Sequence, residues 1–305
     1  MLSHIFTRLV QGLVTLLVVI LVALALVRLS GDPAMFFLPS EATDEQRAEY
    51  RHKLHLDEPF PIQYIYYMAN VAKGDFGMSL THYEPSLTVV LRHVPPTLEL
   101  TGVAILIALV IGFPIGVLAA IKMHSIFDYV CRIIVVLGQS IATFWLGMTL
   151  IMFFAVRLHW LPVSGRGSLS NIVLPSVTLA AWVAALIMRI TRSSVLDVIT
   201  QDYVRTARAK GLAGHVVLLR HILTNAMLPI VTVVALQFGA LLGGALMTEI
   251  VFAWPGIGTL VLSSVETRDF PVIVATIVVV AVGVTIVNLF VDTLYGWIDP
   301  RVRLQ

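Results

Sequence analysis

Cysteine is almost missing from this chain of 305 residues, and the lone Cys131 excludes an internal disulfide and any multi-cysteine metal site. Charge is scarce too. Asp, Glu, Lys and Arg make up 12% of the residues, roughly half the share usual in soluble domains. A net charge of +2 gives no footprint for nucleic acid. No Gly-x-x-x-x-Gly-Lys-Ser/Thr loop is present to cradle a nucleotide. His52 and His55 are spaced as two metal ligands on one helix face would be, but nothing nearby completes the set, so they read as a solvated face. No nucleophile–base arrangement stands out, so the sequence offers no catalytic residue and no metal or cofactor site of its own.

What the chain has instead is apolar surface. Apolar residues make up 58% of it, more than a soluble core of this size can bury, so lipid must be the solvent for much of it. Six runs are long enough, or nearly so, to cross a hydrocarbon layer about 30 Å thick, which takes roughly 20 helical residues. They fall at about Leu9–Leu29, Leu98–Ile121, Val130–Val156, Ile172–Ile190, Met227–Phe252 and Val272–Leu294. Helix is required, because backbone groups in lipid must be satisfied within their own segment or a closed barrel. Ala23-Leu24-Ala25 resembles a signal cleavage site, but the apolar run extends past it to Leu29, so the first run reads as a retained helix. The expected fold is an all-α integral membrane protein with six membrane-spanning helices.

Lys and Arg set the expected orientation. With the N-terminus in the cytoplasm, the inside segments carry Arg8, Lys122, Arg132, Arg189, Arg192, Arg205, Arg208, Lys210, Arg220, Arg301 and Arg303. The short outside loops carry only Arg157, Arg166 and Arg268. Both termini are therefore expected inside. Trp160, Trp254 and Trp297 lie near predicted span ends, where interfacial anchors belong.

Two loops are large. In the outer one, Ser30 to Pro96, Thr43-Asp44-Glu45 opens a solvated helix. Pro59 and Pro61 then interrupt the chain, Gln63 to Ala72 reads as amphipathic, and Gly74-Asp75-Phe76-Gly77 makes a turn. The inner loop, Thr191 to Ala226, is more informative. Asp202 is placed to cap a short helix from Tyr203 to Lys210, and Gly211 to end it in a left-handed conformation. Ala207 and Gly211, four apart, should leave a notch on one side, ringed by Arg205, Arg208 and Lys210. A second short helix, about His215 to Asn225, should lead back to the membrane at Leu228-Pro229. This pattern suits docking onto a soluble partner and lying on anionic lipid equally well.

Three carboxylates fall in or beside predicted spans: Glu99, Glu249 and Asp292. Such residues face protein or water rather than lipid. Glu99 and Asp292 read as structural contacts. Glu249, just before Trp254-Pro255-Gly256, suits either a structural hydrogen bond or an outer gate on the substrate path. Gly239, Gly243 and Gly244 suit close helix packing, within the chain or against a partner helix. Gly112-Phe113-Pro114-Ile115-Gly116 is expected to kink the second span or to mark irregular packing.

The run Tyr203-Val204-Arg205-Thr206-Ala207-Arg208-Ala209-Lys210-Gly211 resembles the cytoplasmic loop of ABC-importer permeases, as written in their dipeptide, oligopeptide and nickel branch. In the general form of that loop a Glu and an Ala stand where Arg205 and Thr206 stand here. Other stretches of the branch recur in order: Gly31-Asp32-Pro33-Ala34, Leu56-Asp57-Glu58-Pro59, Gly74 to Ser79, Pro96-Thr97-Leu98-Glu99-Leu100, Glu249 to Gly258 and Asp299 to Arg303. The resemblance implies a type I importer fold, organised as an N-terminal membrane helix over 1–30 and an extracytoplasmic helical segment over 31–95. A core of five membrane helices over 96–297 would follow, with its coupling loop at 191–226, and then a cytoplasmic tail over 298–305. It further implies a bacterial inner-membrane permease that pairs with a homologous permease, two cytoplasmic ATPases and an extracytoplasmic binding protein. ATP would be bound by the ATPases alone. Di- or oligopeptides are the expected cargo, with nickel, glutathione or glycosides as alternatives. A secondary transporter would instead show a repeat and mid-membrane ionisable residues, and no repeat is apparent.

Overall fold

The computed structural model describes residues 2–29, 43–53, 57–243 and 245–298. Gly31 to Ala34, His55, Leu56, Gly244 and the expected tail from Asp299 lie outside the described residues, as do the side chains of Asp292 and Trp297. Among the described residues the regular structure is helical, with one isolated bridge between Met78 and Pro85.

The helices in order are α1 (Leu2–Leu29), α2 (Asp44–Lys53), α3 (Phe60–Val71), α4 (Ser86–Ile121), α5 (Ile126–Ser140), α6 (Thr143–Arg157), α7 (Leu169–Ile199) and α8 (Asp202–Ala209). They continue with α9 (Gly214–Leu242), α10 (Leu246–Val251), α11 (Ile257–Glu266) and α12 (Phe270–Ile298). By length and composition α4, α7, α9 and α12 can each cross a membrane, and α5 with α6 makes a fifth, broken span. The apolar stretch Val10–Leu26 of α1 falls just short of that length.

Three boundaries differ from the sequence reading. The third span is not one helix: α5 and α6 meet at a bend of 98°, where Ile141 and Ala142 both turn extended. No proline marks the break, which is why hydropathy alone ran through it. The fifth span stops at Leu242, because Gly243 closes α9 and Ala245 leaves helical geometry before α10. The separate helix expected at His215 to Asn225 is instead the first part of α9. There Val217–Leu223 is wound as a π-helix, and Pro229 lies inside the continuing helix. The Asn225 amide donates to the His221 carbonyl at 2.8 Å, satisfying one acceptor in this irregular stretch.

Contacts divide the chain into two units, Met1–Pro95 with Gly256–Thr285, and Pro96–Pro255 with Ile286–Gln305. The first packs Ile20 and Ala23 of α1 with Phe76, Val89, Val272 and Ala275. Tyr64 of α3 donates to the Leu17 carbonyl at 2.9 Å. Tyr64, Tyr67, Met68 and Val71 pack one side of α3 on this core, and the other side leaves Ile65, Tyr66 and Asn70 exposed. Buried Asp269 receives hydrogen bonds from the Ser79 hydroxyl at 2.6 Å, the Thr81 hydroxyl at 2.9 Å and the Thr81 amide at 3.2 Å.

The second unit is built around α7. A Cβ on Gly112 of α4 would stand 2.6 Å from the Ala184 carbonyl oxygen, and one on Gly116 would stand 2.7 Å from that of Met188. The two glycines thus let α4 and α7 touch backbone to backbone, and α4 runs unbroken through them. Of the two readings of this stretch, packing is the one observed.

Candidate coupling site and outer turn

The short helix α8 forms where it was expected, between α7 and α9. Its N-cap is Gln201, whose side chain makes no capping bond, and Asp202 is the first helical residue rather than the cap. That correction leaves Asp202 favourable, since a carboxylate in the first turn complements the helix dipole. It lies 3.7 Å from Arg205. Gly211 takes φ +76° and closes the helix, with its amide on the Arg208 carbonyl at 2.9 Å.

The notch is not where the spacing put it. Val204 and Ala207, three apart, are both buried, and they pack with Val117 and Ala120 of α4, Val195 of α7, and Val217, Ile222 and Ala226 of α9. Ala207 therefore seats α8 on the bundle and does not face outward. Gly211 lies beyond the last helical turn and is exposed, so the two do not share a side. What α8 presents outward is Tyr203, Arg205, Thr206, Arg208, Ala209 and Lys210, followed by Gly211 and Leu212. Partial burial pushes the Tyr203 phenol above its ordinary range, so it stays a neutral hydrogen-bonding group. The site is a cationic ridge with small residues in it, mounted on an apolar seat.

An ion pair stabilises the same end of the unit. Asp128, at the start of α5, is fully buried. Arg192 of α7 grips it with both arms, Nε to Oδ1 at 2.6 Å and Nη2 to Oδ2 at 2.9 Å. The His124 amide adds a bond at 3.2 Å, and Arg132 lies 3.5 Å away. Sequence reasoning passed over Asp128. The signal was available: it is the one acidic residue between Glu99 and Asp197, three after the capping Ser125 and four before Arg132.

At the far end of α7, Glu249 of α10 is wholly buried and accepts from the Thr97 hydroxyl at 3.2 Å. The Trp254 amide donates to the Glu249 carbonyl at 2.8 Å, and the Trp254 indole donates to the Pro96 carbonyl at 2.9 Å. Trp254 is buried against Leu100, Ala104, Ile172 and Leu179, so it is a core residue and not an interfacial anchor. Trp160 is 70% exposed. Pro255 is exposed and Gly256 buried. Glu99 pairs with Arg166, both Nε (2.9 Å) and Nη2 (2.7 Å) meeting Oε2, a structural contact as expected. Gly239 is buried inside the chain and Gly243 is exposed at the end of α9.

Residues 112–304 match the family described as the binding-protein-dependent transport system inner membrane component, and residues 1–101 match its N-terminal companion. This chain belongs to that family. It is similar over its whole length to the glutathione transport system permease protein GsiC of Escherichia coli strain K12 and of Salmonella typhi, 42% identical over 306 residues and covering all of each. Among solved structures it is similar to the MetNI methionine ABC transporter in an inward-facing form, at a TM-score of 0.58 and 22% identity, covering 69% of this chain and 96% of that one. An amino acid ABC transporter crystallised with histidines follows at 0.51 and 15%. Those two likenesses bear on the fold alone. The chain is thus a non-catalytic, multi-pass inner-membrane permease subunit of an ABC importer.

Proposed function

We propose that this permease imports peptide-like molecules, glutathione foremost, and that α8 couples it to a cytoplasmic ATPase. The full-length identity to a glutathione permease supports the cargo. The observation that carries the coupling role is the division of α8 into a buried apolar foot, Val204 and Ala207, and an exposed ridge of Tyr203, Arg205, Thr206, Arg208, Lys210 and Gly211. A helix that only lay on anionic lipid would need its charges but not so firm a seat. In this reading two ATPases bind the ATP, a homologous permease completes the pathway, and an extracytoplasmic binding protein delivers the cargo. Both termini lie in the cytoplasm, a reading supported by the excess of Lys and Arg in the segments placed inside. The outer turn at Glu249, Trp254, Pro255 and Gly256 stands beside the route and holds its outer end together. Gly239 packs within the chain, while Gly243 lies where α9 gives way to α10.

Reversing charge with Arg205→Glu and Arg208→Glu tests the coupling. The ATPases should fail to co-purify with this permease in mild detergent while its own folding is unchanged. Retention of the ATPases by the doubly reversed chain would refute the docking role. Uptake of labelled glutathione by the reconstituted importer, in competition with dipeptides, nickel chelates and glycosides, tests the cargo.

A further inference from the structure

Two arginines stand one turn apart on the membrane-spanning helix α7, and their surroundings differ. Arg192 is bound by the buried Asp128. Arg189 is exposed, and among the described residues it has no carboxylate partner; its Nη1 donates to the Gln139 Oε1 at 3.2 Å. Because an arginine only donates, that bond also fixes the Gln139 amide with its NH2 turned away from Arg189. The two side chains therefore offer hydrogen-bond donors and a positive charge to whatever lies beside them.

Depth says what that can be. Arg192 meets α5 at its first turn, at Asp128, whereas Arg189 meets it eleven residues further along, at Gln139. Helical side chains lean toward the N-terminus, which for α7 is the end opposite α8. The Arg189 guanidinium therefore points away from the α8 end, to Gln139 beside the place where α5 breaks at 98°. At that break Ile141 and Ala142 are extended and no side chain caps α6. Hydrocarbon covers such a spot poorly, since a guanidinium and uncapped backbone both call for polar partners. Water can supply them.

We propose that Arg189, positioned by Gln139, faces the aqueous translocation path and reads a carboxylate of the passing cargo. A charged, donor-only pair suits an acceptor-only anion, and the guanidinium matches a carboxylate in shape as well as charge. This rests on the peptide-like cargo proposed above, whose members carry at least one carboxylate.

The test has two arms on the complete importer, with its partner permease, ATPases and binding protein, in proteoliposomes. In the first, the exposed Ser140 beside the break becomes the probe, as Ser140→Cys with Cys131→Ala. An anionic methanethiosulfonate should label it several-fold faster than a cationic one, and Arg189→Gln should abolish or reverse that preference while Arg189→Lys keeps it. Failure of both aqueous reagents to label Cys at 140, or a preference indifferent to Arg189→Gln, overturns the proposal whatever the cargo is. In the second arm, Arg189→Gln should slow uptake of glutathione while sparing ATPase stimulation by the binding protein. If the unaltered importer carries no glutathione, the cargo reading fails and the labelling arm still decides the placement of Arg189. Normal glutathione uptake by the Arg189→Gln importer overturns the role in reading cargo.

Discussion

The two ends of α7 carry two short helices built on opposite plans. At one end α8 buries a narrow apolar foot and turns Arg205, Arg208 and Lys210 outward. At the other end α10 and the turn after it draw Thr248, Glu249, Phe252 and Trp254 inward, and spend their polar atoms on Thr97 and Pro96. The first arrangement leaves its chemistry available to another molecule. The second uses its chemistry up on the chain itself. The lesson is that the conspicuous Trp254-Pro255-Gly256 turn is chiefly architecture, while the plainer run around Arg205 is the one left exposed.

Removing the ion pair under the α8 end should give the largest effect. Asp128→Ala leaves Arg192 half-buried without its carboxylate, a loss of about 3 kcal/mol, at the low end for buried pairs because Arg192 keeps 22% of its side chain exposed. Thermal unfolding of the purified chain in detergent measures it. The double change Asp128→Leu with Arg192→Met should recover most of the loss, since the cost lies in the orphaned charge and not in the missing pair. A double variant as unstable as the single one would show that the pair has a role beyond mutual neutralisation.

The contrast within α8 comes next. Ala207→Leu forces added methylenes into the seat formed by Val117, Val195 and Ile222, and should cost about 1–3 kcal/mol. Ala209→Leu, on the exposed side, should leave stability unchanged and still weaken recovery of the ATPases. If the two substitutions behave alike, the distinction between foot and ridge is wrong.

Trp254→Phe probes the opposite plan. It removes the indole hydrogen bond to the Pro96 carbonyl while keeping most of the apolar contact with Leu100 and Leu179, for a loss of about 1–2 kcal/mol. Coupling to the ATPases should be untouched. A decoupled but stable Trp254→Phe importer would mean the outer turn acts in the cycle and not only in the architecture.

Much of this was legible in the sequence. Hydropathy located the long helices, and Gly211 announced the end of α8, because both signals are local. What escaped was set by partners distant in sequence. The facing of Ala207 depends on α4 and α9, which no spacing rule within α8 can supply. Trp254 looked like an interfacial anchor because it stands near a span end, yet Pro96, far from it in sequence, claims its indole. The break at Ile141 carries no proline or glycine at its centre, so it follows from packing and not from local propensity.

Gly211→Ala offers the smallest and most discriminating change. A Cβ there would meet nothing within 4 Å, so sterics against the rest of the chain contribute nothing. The cost is the left-handed backbone alone, φ +76°, about 1 kcal/mol for an alanine. Gly211→Asn should cost less, because asparagine tolerates that conformation, while placing a larger side chain on the exposed ridge. Comparing the two separates conformation from contact. If ATPase recovery follows stability, falling for Ala and recovering for Asn, Gly211 serves only to end α8. If recovery falls more for Asn than for Ala, the space above Gly211 is occupied by the partner. The cationic ridge of α8 then has its docking surface extended one residue past the helix, to a position where only glycine leaves both the turn and the room.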